Sequence, residues 1–299
     1  MSETFTTVAG RRLKLTNLDK VMYPSTGFTK GDVIAYYTRV APVLLPHLRG
    51  RALTLKRYPD GVEGEVFFQK QAPKHRPEWV KTVRLATKDR DIDFVVVTGL
   101  PTLVWLANLA DLELHTSLGR ASSIGRPTAL VFDLDPGPPA TIVDCCEVAL
   151  LIRALGGTMG LEFWAKTSGS KGLQLYAPLN GRIGYDRTRP FSQAVAQRLE
   201  ADHPDLVVSN IRKQVREGRV LIDWSQNGEL RTMANVYSLR ARETPTVSTP
   251  VTWPEVERAA GEGDPGLLVF DWQAAIERIE RQGDLFEPVL KVRQRLPRL

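Results

Sequence analysis

The pattern of hydrophobic and polar positions predicts a chain in which strands and helices are interspersed. The alternation in "ALTLKRY" favours a strand, "LELHT" is predicted as another, and the apolar run in "DFVVVTG" favours a short buried strand. Helices are predicted in "TKGDVIAYYTRVAPVLLPHLRG", "LPTLVWLANLADLE", "ATIVDCCEVALLIRALGG" and "RPFSQAVAQRLEAD", and the last fifty residues also look helical. Because hairpin-like strand pairs lie among these helices, we predict a mixed α/β fold with largely antiparallel sheets.

Local signals predict several element boundaries. Thr29 is the expected N-cap of a helix over residues 30–48, and Gly50 is its expected stop. Gly156 is expected to end the helix that begins in "ATIVD". The small residues at 168–172, Ser-Gly-Ser-Lys-Gly, predict the turn of a hairpin within "EFWAKTSGSKGLQLYAPL".

Three aspartates stand at the ends of apolar strands. In "ALVFDLDPG", Asp133 and Asp135 are two positions apart and therefore project from one face of the predicted strand. Asp223 ends a second apolar run, "VLID". Three such carboxylates suit two divalent cations, Mg²⁺ or Mn²⁺, that bridge a triphosphate and a 3′-hydroxyl. The alternative is turn chemistry, because "DPG" is a good turn sequence.

Composition narrows the class of protein. The chain has 299 residues, a net charge of +6 and a pI of about 9.4, which is compatible with a polyanionic partner but does not identify one. The adjacent Cys145 and Cys146 lie in a predicted helix, where neighbours point apart, so we expect no disulfide. No apolar run reaches the length of a membrane span. We expect a cytoplasmic, nucleoid-associated protein without a membrane partner.

Further residues favour contact with phosphates or bases. The turn in "KTSGSKGLQLY" offers backbone N–H groups and Lys171 to a triphosphate, although P-loop spacing is absent and a simple hairpin turn is the alternative. His115 and Arg240 are other candidate phosphate ligands, and a structural histidine is the alternative for the first. Phe67 and Phe68 are adjacent, so a strand would turn one ring outward to stack on bases, unless both rings lie in the core or at its margin.

Four motifs occur in the order and spacing of a known family, namely "LVFDLDPG", "TSGSKGLQLY", "VLIDWSQN" and "YSLRAR". On these motifs the chain resembles the polymerase domains of bacterial ligase D and their stand-alone relatives, within the archaeo-eukaryotic primase superfamily. The resemblance extends from "LTNLDKVMYP" to about residue 255. It favours the metal interpretation of the three acids.

The resemblance implies a role for each matching position. The metal-binding and catalytic residues would be Asp133, Asp135 and Asp223. The incoming nucleotide would be held by His115, Ser168, Lys171 and Arg240 at its triphosphate, with Gln226 nearby. The DNA-binding residues would be Lys20 and Lys30 at a 5′-phosphate beyond the gap, Phe67 and Phe68 on template bases, and Arg216 near the primer terminus.

The resemblance also implies the fold, the cofactor and the partners. The expected α/β (α+β) fold has two packed, mostly antiparallel sheets flanked by helices, with the active site between them. We expect one catalytic domain over residues 1–299, with residues 1–60 contributing 5′-phosphate binding and no ligase or nuclease module. Two ions, Mn²⁺ or Mg²⁺, would serve as cofactors. The partners would be DNA with a gap or end that carries a 5′-phosphate, NTPs or dNTPs, a Ku-like end-binding protein and a separate DNA ligase.

Two features depart from the family pattern. Gln174 stands where many relatives have histidine, next to the turn that would hold the triphosphate. The segment "VRLATKDRDIDF" is short for the loop that relatives use to align two DNA ends, which favours gap filling over end bridging.

The sequence therefore predicts a nucleotidyltransferase that extends a primer on a DNA template. It would fill short gaps at breaks during non-homologous end joining, with a preference for ribonucleotides that only the resemblance implies. The alternatives are a stand-alone primase, an excision-repair gap-filling polymerase, and a non-catalytic nucleic-acid-binding module. Three clustered carboxylates argue against the module, because they would repel the polyanion that it binds.

Overall fold

The computed structural model describes residues 3–298, in which the chain forms a mixed α/β structure. The strands in these residues are β1 (Glu3–Val8), β2 (Arg11–Thr16), β3 (Val21–Tyr23), β4 (Phe28–Thr29), β5 (Leu53–Arg57), β6 (Phe67–Gln69), β7 (Thr82–Ala86), β8 (Asp91–Val95), β9 (Asp111–Ser117), β10 (Ala129–Pro136), β11 (Trp164–Thr167), β12 (Leu173–Pro178), β13 (Val207–Val208), β14 (Val220–Asp223), β15 (Thr232–Ala234), β16 (Leu239–Ala241), β17 (Pro245–Val247) and β18 (Pro250–Val251). The α-helices are α1 (Lys30–Leu48), α2 (Leu100–Asn108), α3 (Ile142–Thr158), α4 (Tyr185–Asp202), α5 (Trp253–Glu262), α6 (Trp272–Gln282) and α7 (Pro288–Lys291).

The chain divides into two compact units, and each is built from separate stretches of sequence. The first unit contains the chain up to Ser117, Thr232–Val247 and Asp271–Asp284. The second contains Leu118–Arg231, Ser248–Phe270 and the chain from Leu285 onward. The expectation of a single catalytic domain stays a prediction.

The first unit is organised by an antiparallel sheet in the order β15-β9-β5-β8-β7, with β6 also paired to β5. Helix α1 is joined to strand β9, because the hydroxyl of the buried Tyr37 donates to the Leu112 carbonyl at 2.6 Å. Thr29 caps α1 in a reciprocal capping box with Asp32. The helix that the sequence predicts over residues 30–48 is confirmed at both ends.

The second unit contains a six-stranded sheet in the order β13-β14-β10-β12-β11-β18, antiparallel except for the β13–β14 pair. One face of β10 presents Leu130, Phe132 and Leu134 to an apolar core that includes residues of α3. Because side chains alternate along a strand, Asp133 and Asp135 lie on the opposite face. The predicted class of mixed α/β fold with largely antiparallel sheets is confirmed.

The predicted end of α3 is wrong by two residues. The helix continues through Gly156 to Thr158, so Gly156 is not its stop. A Cβ atom at Gly156 would lie 2.2 Å from Cε2 of Phe163, so the glycine permits the chain after the helix to pack closely against it. The packing contact with Phe163, seven residues later in the chain, explains this glycine, and the end of the helix does not.

None of the helices in residues 3–298 is both long enough and apolar enough to cross a lipid bilayer.

Two adjacent glycines of α3 allow a matched test of this packing. Gly156→Ala should lower the free energy of unfolding by about 1–3 kcal/mol, because the added methyl overlaps the Phe163 ring. Gly157→Ala should raise it by up to about 1 kcal/mol, because nothing lies within 4 Å of that Cβ position and alanine favours helix. Chemical denaturation of both variants measures the difference, and equal effects would contradict the packing argument.

Candidate active site

Four polar residues form one row across the sheet of the second unit. Asp223 of β14 lies opposite Asp133 of β10, Asp133 lies opposite Gln174 of β12, and Gln174 lies opposite Lys166 of β11. Cα atoms of residues directly opposite each other in antiparallel strands are about 4.5–5.5 Å apart. The strand pairing therefore places two carboxylates, an amide and an ammonium side by side, on the face away from the apolar core.

The amide of Gln174 connects the cation of the row to a carboxylate. Lys166 Nζ donates to Gln174 Oε1 and, at 2.7 Å, to Ser248 Oγ. Gln174 Nε2 donates to Asp133 Oδ1 at 2.9 Å. Lys166, Gln174 and Asp133 are all buried. Gln174, which departs from the family pattern, thus fixes the orientation of the Asp133 carboxylate.

The carboxylates of Asp133, Asp135 and Asp223 make one another's ionisation less favourable. Burial raises the pKa of Asp133 to about 7, and the negative charges of Asp135 and Asp223 add to this effect. The Gln174 hydrogen bond and the Lys166 charge act in the opposite direction. A set of carboxylates that is costly to ionise without a counter-charge matches the oxygen-rich donor set that Mg²⁺ and Mn²⁺ prefer.

The Asp223 carboxylate accepts hydrogen bonds from residues that directly follow its own strand. Its Oδ1 accepts from the backbone N–H of Ser225 at 3.0 Å and from the Ser225 hydroxyl at 2.6 Å, and its Oδ2 accepts from Gln226 Nε2 at 3.0 Å. Across residues 3–298, no three Asp, Glu, His or Cys side chains stand in a ready-made metal-binding arrangement. The three aspartates nevertheless offer the oxygen donors that a divalent ion prefers, and Asp223 is oriented by its hydrogen bonds to Ser225 and Gln226.

The predicted hairpin turn between β11 and β12 is confirmed, and Ser168 organises it. The Ser168 hydroxyl accepts from the backbone N–H groups of Ser170 at 3.2 Å and Gly172 at 3.1 Å. A Cβ atom at Gly172 would lie 2.0 Å from the Leu134 carbonyl, so only glycine lets the turn approach β10 this closely. Lys171 is exposed in this turn. Ser168 and Lys171 thus lie beside the strand that carries Asp133.

Arg216 lies in the segment between β13 and β14, and this segment packs on the end of β10. Its guanidinium donates to the Ile211 carbonyl. The Arg216 carbonyl lies 1.9 Å from where a Cβ atom of Gly137 would stand. Gly137 N donates to the Arg219 carbonyl at 2.8 Å. The close approach that Gly137 permits fixes the Arg216 segment next to the turn after Asp135.

His115 and Arg240 belong to the first unit, where they share a carboxylate. The ring Nε2 of His115 lies 2.9 Å from Glu113 Oε2, and Arg240 Nε donates to the same oxygen at 3.0 Å. Burial lowers the pKa of His115, against the opposing influence of Glu113. The structure thus brings together two of the residues that the resemblance assigns to the triphosphate.

Lys20 and Lys30 also lie close together in the first unit. Lys30 N donates to the Lys20 carbonyl at 2.8 Å, at the start of α1. Lys30 Nζ donates to Thr16 Oγ1 and to the Asn108 carbonyl, both at 3.1 Å. Burial, and then the charge of Lys20, lower the pKa of Lys30 to about 8. A partly desolvated cation beside a second cation is suited to bind a phosphate dianion.

Phe67 and Phe68 lie on the short strand β6, and both rings are exposed, at 43% and 67%. Neither ring is therefore buried in the core. Lys56, opposite Phe68 on β5, places its ammonium 5.4 Å from the Phe68 ring centroid. Exposed rings beside a cation are typical of a surface on which bases stack.

The chain also matches a known protein family. Residues 29–286 match the family model described as LigD, primase-polymerase domain. The chain belongs to this family. Family membership confirms the predicted class of enzyme, a nucleotidyltransferase of the DNA-directed polymerase and primase type.

Two relatives show how far the similarity extends. This LigD-family chain is 40% identical over 280 residues to the multifunctional non-homologous end joining protein LigD of Mycolicibacterium smegmatis, covering 93% of this chain and 36% of that protein. It is 34% identical over 273 residues to the bifunctional non-homologous end joining protein LigD of Bacillus subtilis, covering 91% of this chain and 43% of that protein. The chain thus spans well under half the length of these relatives.

A solved structure agrees with the fold. The polymerase domain from Mycobacterium tuberculosis ligase D in complex with DNA superposes with a TM-score of 0.87 at 38% identity. The match covers 95% of this chain and 99% of that one. The similarity therefore extends over nearly the whole chain and confirms the predicted primase-polymerase fold.

Sequence reasoning missed two charged residues of this LigD-family domain. Lys166 is the one cation in the strand "WAKT", two residues before Ser168. Glu113 precedes His115 by two residues in "LELHT", so both share a face of β9. The available signal was a charge inside an apolar strand, which indicates a partner elsewhere in the fold but does not identify it.

Replacing Gln174 tests the connection between Lys166 and Asp133. Gln174→Leu keeps the volume of the side chain but removes both hydrogen bonds, each of a charge-assisted kind worth about 1.5–3 kcal/mol. We expect the free energy of unfolding to fall by at least about 3 kcal/mol and primer extension to fall at least ~10-fold. Thermal unfolding and steady-state extension measure these effects.

Gln294→Leu is a matched control in the same unit. Gln294 bonds the backbone of Glu162 and Pro178, away from the row. This variant should lose stability without losing extension beyond its folded fraction. Full extension by Gln174→Leu would show that the amide does not position Asp133.

Proposed function

We propose that this chain is a DNA-templated polymerase that extends a primer to fill short gaps at DNA breaks in non-homologous end joining. One observation carries the proposal above all: Asp133 and Asp223 are opposite each other, with Asp135 on the same face, in a chain of the primase-polymerase family. The relatives named above are non-homologous end joining proteins, which supports the assignment to break repair.

The three aspartates are the proposed ligands of two divalent ions, Mn²⁺ or Mg²⁺. Such ions, when bound, lower the pKa of a 3′-hydroxyl and neutralise charge that develops on the phosphates. The chain's own contribution is orientation, because Gln174 donates to Asp133 and Gln226 donates to Asp223. The repulsion among the carboxylates, seen in the raised pKa of Asp133, supports a cation at this place.

The nucleotide-binding residues are proposed separately for the two units. In the second unit, Ser168 and Lys171 in the turn beside β10 would hold phosphates, with Gln226 near the nucleotide. In the first unit, Arg240 would neutralise triphosphate charge and His115 would form a hydrogen bond to the phosphates. The preference for ribonucleotides rests on the family resemblance alone.

The proposed DNA contacts lie on the surface of the first unit and on the Arg216 segment. Lys20 and Lys30 would bind the 5′-phosphate on the far side of a gap, and Phe67 and Phe68 would stack on template bases. Arg216 would lie near the primer terminus. The solved relative is in complex with DNA, which supports a DNA partner. A Ku-like protein and a separate ligase are proposed as working partners.

The central test is extension of a labelled primer across a short gap with a downstream 5′-phosphate. Asp133→Ala/Asp135→Ala should reduce extension at least ~1,000-fold, because the variant loses ligands that polarise the reacting groups. Its affinity for the same DNA should be equal or higher, because two negative charges are removed. Extension with each NTP and dNTP, in Mn²⁺ and in Mg²⁺, measures sugar and metal preference.

The outcomes separate the proposal from its alternatives. Extension by the double variant at the normal rate would refute the catalytic assignment. Synthesis of dinucleotides on unprimed template would favour a primase. Binding of DNA by the unaltered protein without any nucleotide turnover would favour a non-catalytic module.

Lys30 provides a test of the proposed 5′-phosphate site. Lys30→Met should lower the affinity for gapped DNA with a 5′-phosphate about 10-fold. The affinity should then equal the affinity for the same DNA with a 5′-hydroxyl. Stability near pH 7 should not fall, because the lowered pKa shows that the fold disfavours the charged lysine. In the unaltered protein, the preference for 5′-phosphate should weaken as pH rises from 7 to 9, because Lys30 deprotonates near pH 8.

Lys14→Met is the control for loss of one positive charge. Lys14 lies on β2, is exposed and pairs with Glu3. Its replacement should weaken binding to both DNAs equally. A 5′-phosphate preference that survives in Lys30→Met would remove Lys30 from the site. Fluorescence anisotropy at fixed salt measures all these affinities.

A further inference from the structure

Glu113 of β9 is a buried carboxylate that accepts hydrogen bonds from five groups. Its Oε1 accepts from Lys56 Nζ at 2.9 Å, Tyr58 OH at 3.2 Å and Ala241 N at 3.1 Å. Its Oε2 accepts from Arg240 Nε at 3.0 Å and lies 2.9 Å from His115 Nε2. The side chain is 2% exposed. A carboxylate normally has about four lone-pair sites, so this one is fully engaged.

The groups that meet at Glu113 come from three separate strands of the first unit. Lys56 is directly opposite Glu113 on β5, and His115 shares the face of β9 two residues later. Arg240 and Ala241 come from β16, more than a hundred residues further along the chain. A single carboxylate thus sets the relative positions of side chains that sequence separation leaves independent.

The pKa of Glu113 shows how strongly its neighbours stabilise the ionised carboxylate. Burial alone would raise the pKa of Glu113, but the His115 hydrogen bond and the charges of Arg240 and Lys56 hold that pKa well below its usual range. Glu113 is therefore ionised at neutral pH. Its charge offsets the repulsion that Lys56 and Arg240 would otherwise exert on each other.

We propose that Glu113 is the positioning residue that holds Lys56, His115 and Arg240 together as a preformed group for the nucleotide triphosphate. The inference rests on the proposed role of His115 and Arg240 in nucleotide binding. A triphosphate needs several donors in place at once, and donors fixed in advance bind it without the cost of being ordered. Glu113 does not repel the triphosphate strongly, because its own charge is already matched by buried donors.

Lys56 extends this group toward the exposed surface of the first unit. Its ammonium lies 5.5 Å from the Tyr58 ring centroid and 5.4 Å from that of Phe68, besides its contact with Glu113. Because Phe68 is exposed, the same lysine links the buried carboxylate to the proposed base-stacking rings. Glu113 therefore orients a residue at the edge of the DNA surface as well as the phosphate ligands.

Glu113→Gln tests the proposal with little change in shape. Glutamine keeps one acceptor oxygen but turns an N–H₂ group toward the other donors, so either the Lys56 side or the Arg240 side loses its partner. We expect the KM for nucleotide to rise at least ~10-fold while kcat changes less than ~3-fold. Titration with ATP, with AMP as reference and without divalent metal, should show ~10-fold weaker ATP binding and unchanged AMP binding.

Two further variants separate positioning from a purely structural role. Asp284→Asn is the matched control, because Asp284 in the same unit lies 2.8 Å from the ring Nε2 of His47 and accepts from the Tyr237 hydroxyl at 2.7 Å. It should lower the melting temperature and leave ATP affinity and KM unchanged. Glu113→Asp keeps the charge but shortens the side chain, so it should show an intermediate KM.

Unchanged or tighter ATP binding by a folded Glu113→Gln would overturn the proposal. If that variant does not fold, a KM for Glu113→Asp equal to that of the unaltered protein would overturn it. Failure of the unaltered protein to extend a primer would refute the proposed function instead. The ATP titration still decides the role of Glu113 in that case, because it requires neither DNA nor catalysis.

Discussion

The repulsion between like charges on a sheet face is the constraint on which the rest of this structure depends. Strand pairing in the second unit brings Asp133 opposite Asp223, and Gln174 links the first of them to the buried Lys166. The first unit has the opposite arrangement, in which the cations of Lys56 and Arg240 and the His115 ring surround the single carboxylate of Glu113. In the second unit a single cation lies beside several carboxylates, and in the first unit a single carboxylate lies among basic side chains. Such a balance suits surfaces that receive divalent cations and phosphates.

Close backbone approach makes the carboxylate row of the second unit possible. Gly172 lets the turn that contains Ser168 pack against the Leu134 carbonyl, between the two aspartates of β10. Gly137 lets the Arg216 segment pack against the turn that follows them. A side chain at either glycine would displace a loop from the strand end. The position of the proposed phosphate-binding and primer-binding segments therefore depends on the absence of two Cβ atoms.

Local features of the fold could be predicted from sequence, whereas distant contacts could not. The cap at Thr29, the hairpin at 168–172 and the shared face of Asp133 and Asp135 depend on residues a few positions apart. The role of Gly156 depends on Phe163, which packs back on the helix. Likewise Glu113 meets Arg240 only through folding, so no local pattern shows that the carboxylate organises the cations. The sequence predicts which residues carry the chemistry, and the structure shows which groups these residues contact.

The proposed binding of divalent metal by Asp133, Asp135 and Asp223 is tested most directly by isothermal titration with Mn²⁺, in the absence of DNA and nucleotide. We expect binding by the unaltered protein and at least ~100-fold weaker binding by Asp133→Asn, which keeps the shape of the side chain but removes its charge. Equal Mn²⁺ affinity in the two proteins would contradict the claim and leave Asp133 a structural residue at the end of its strand.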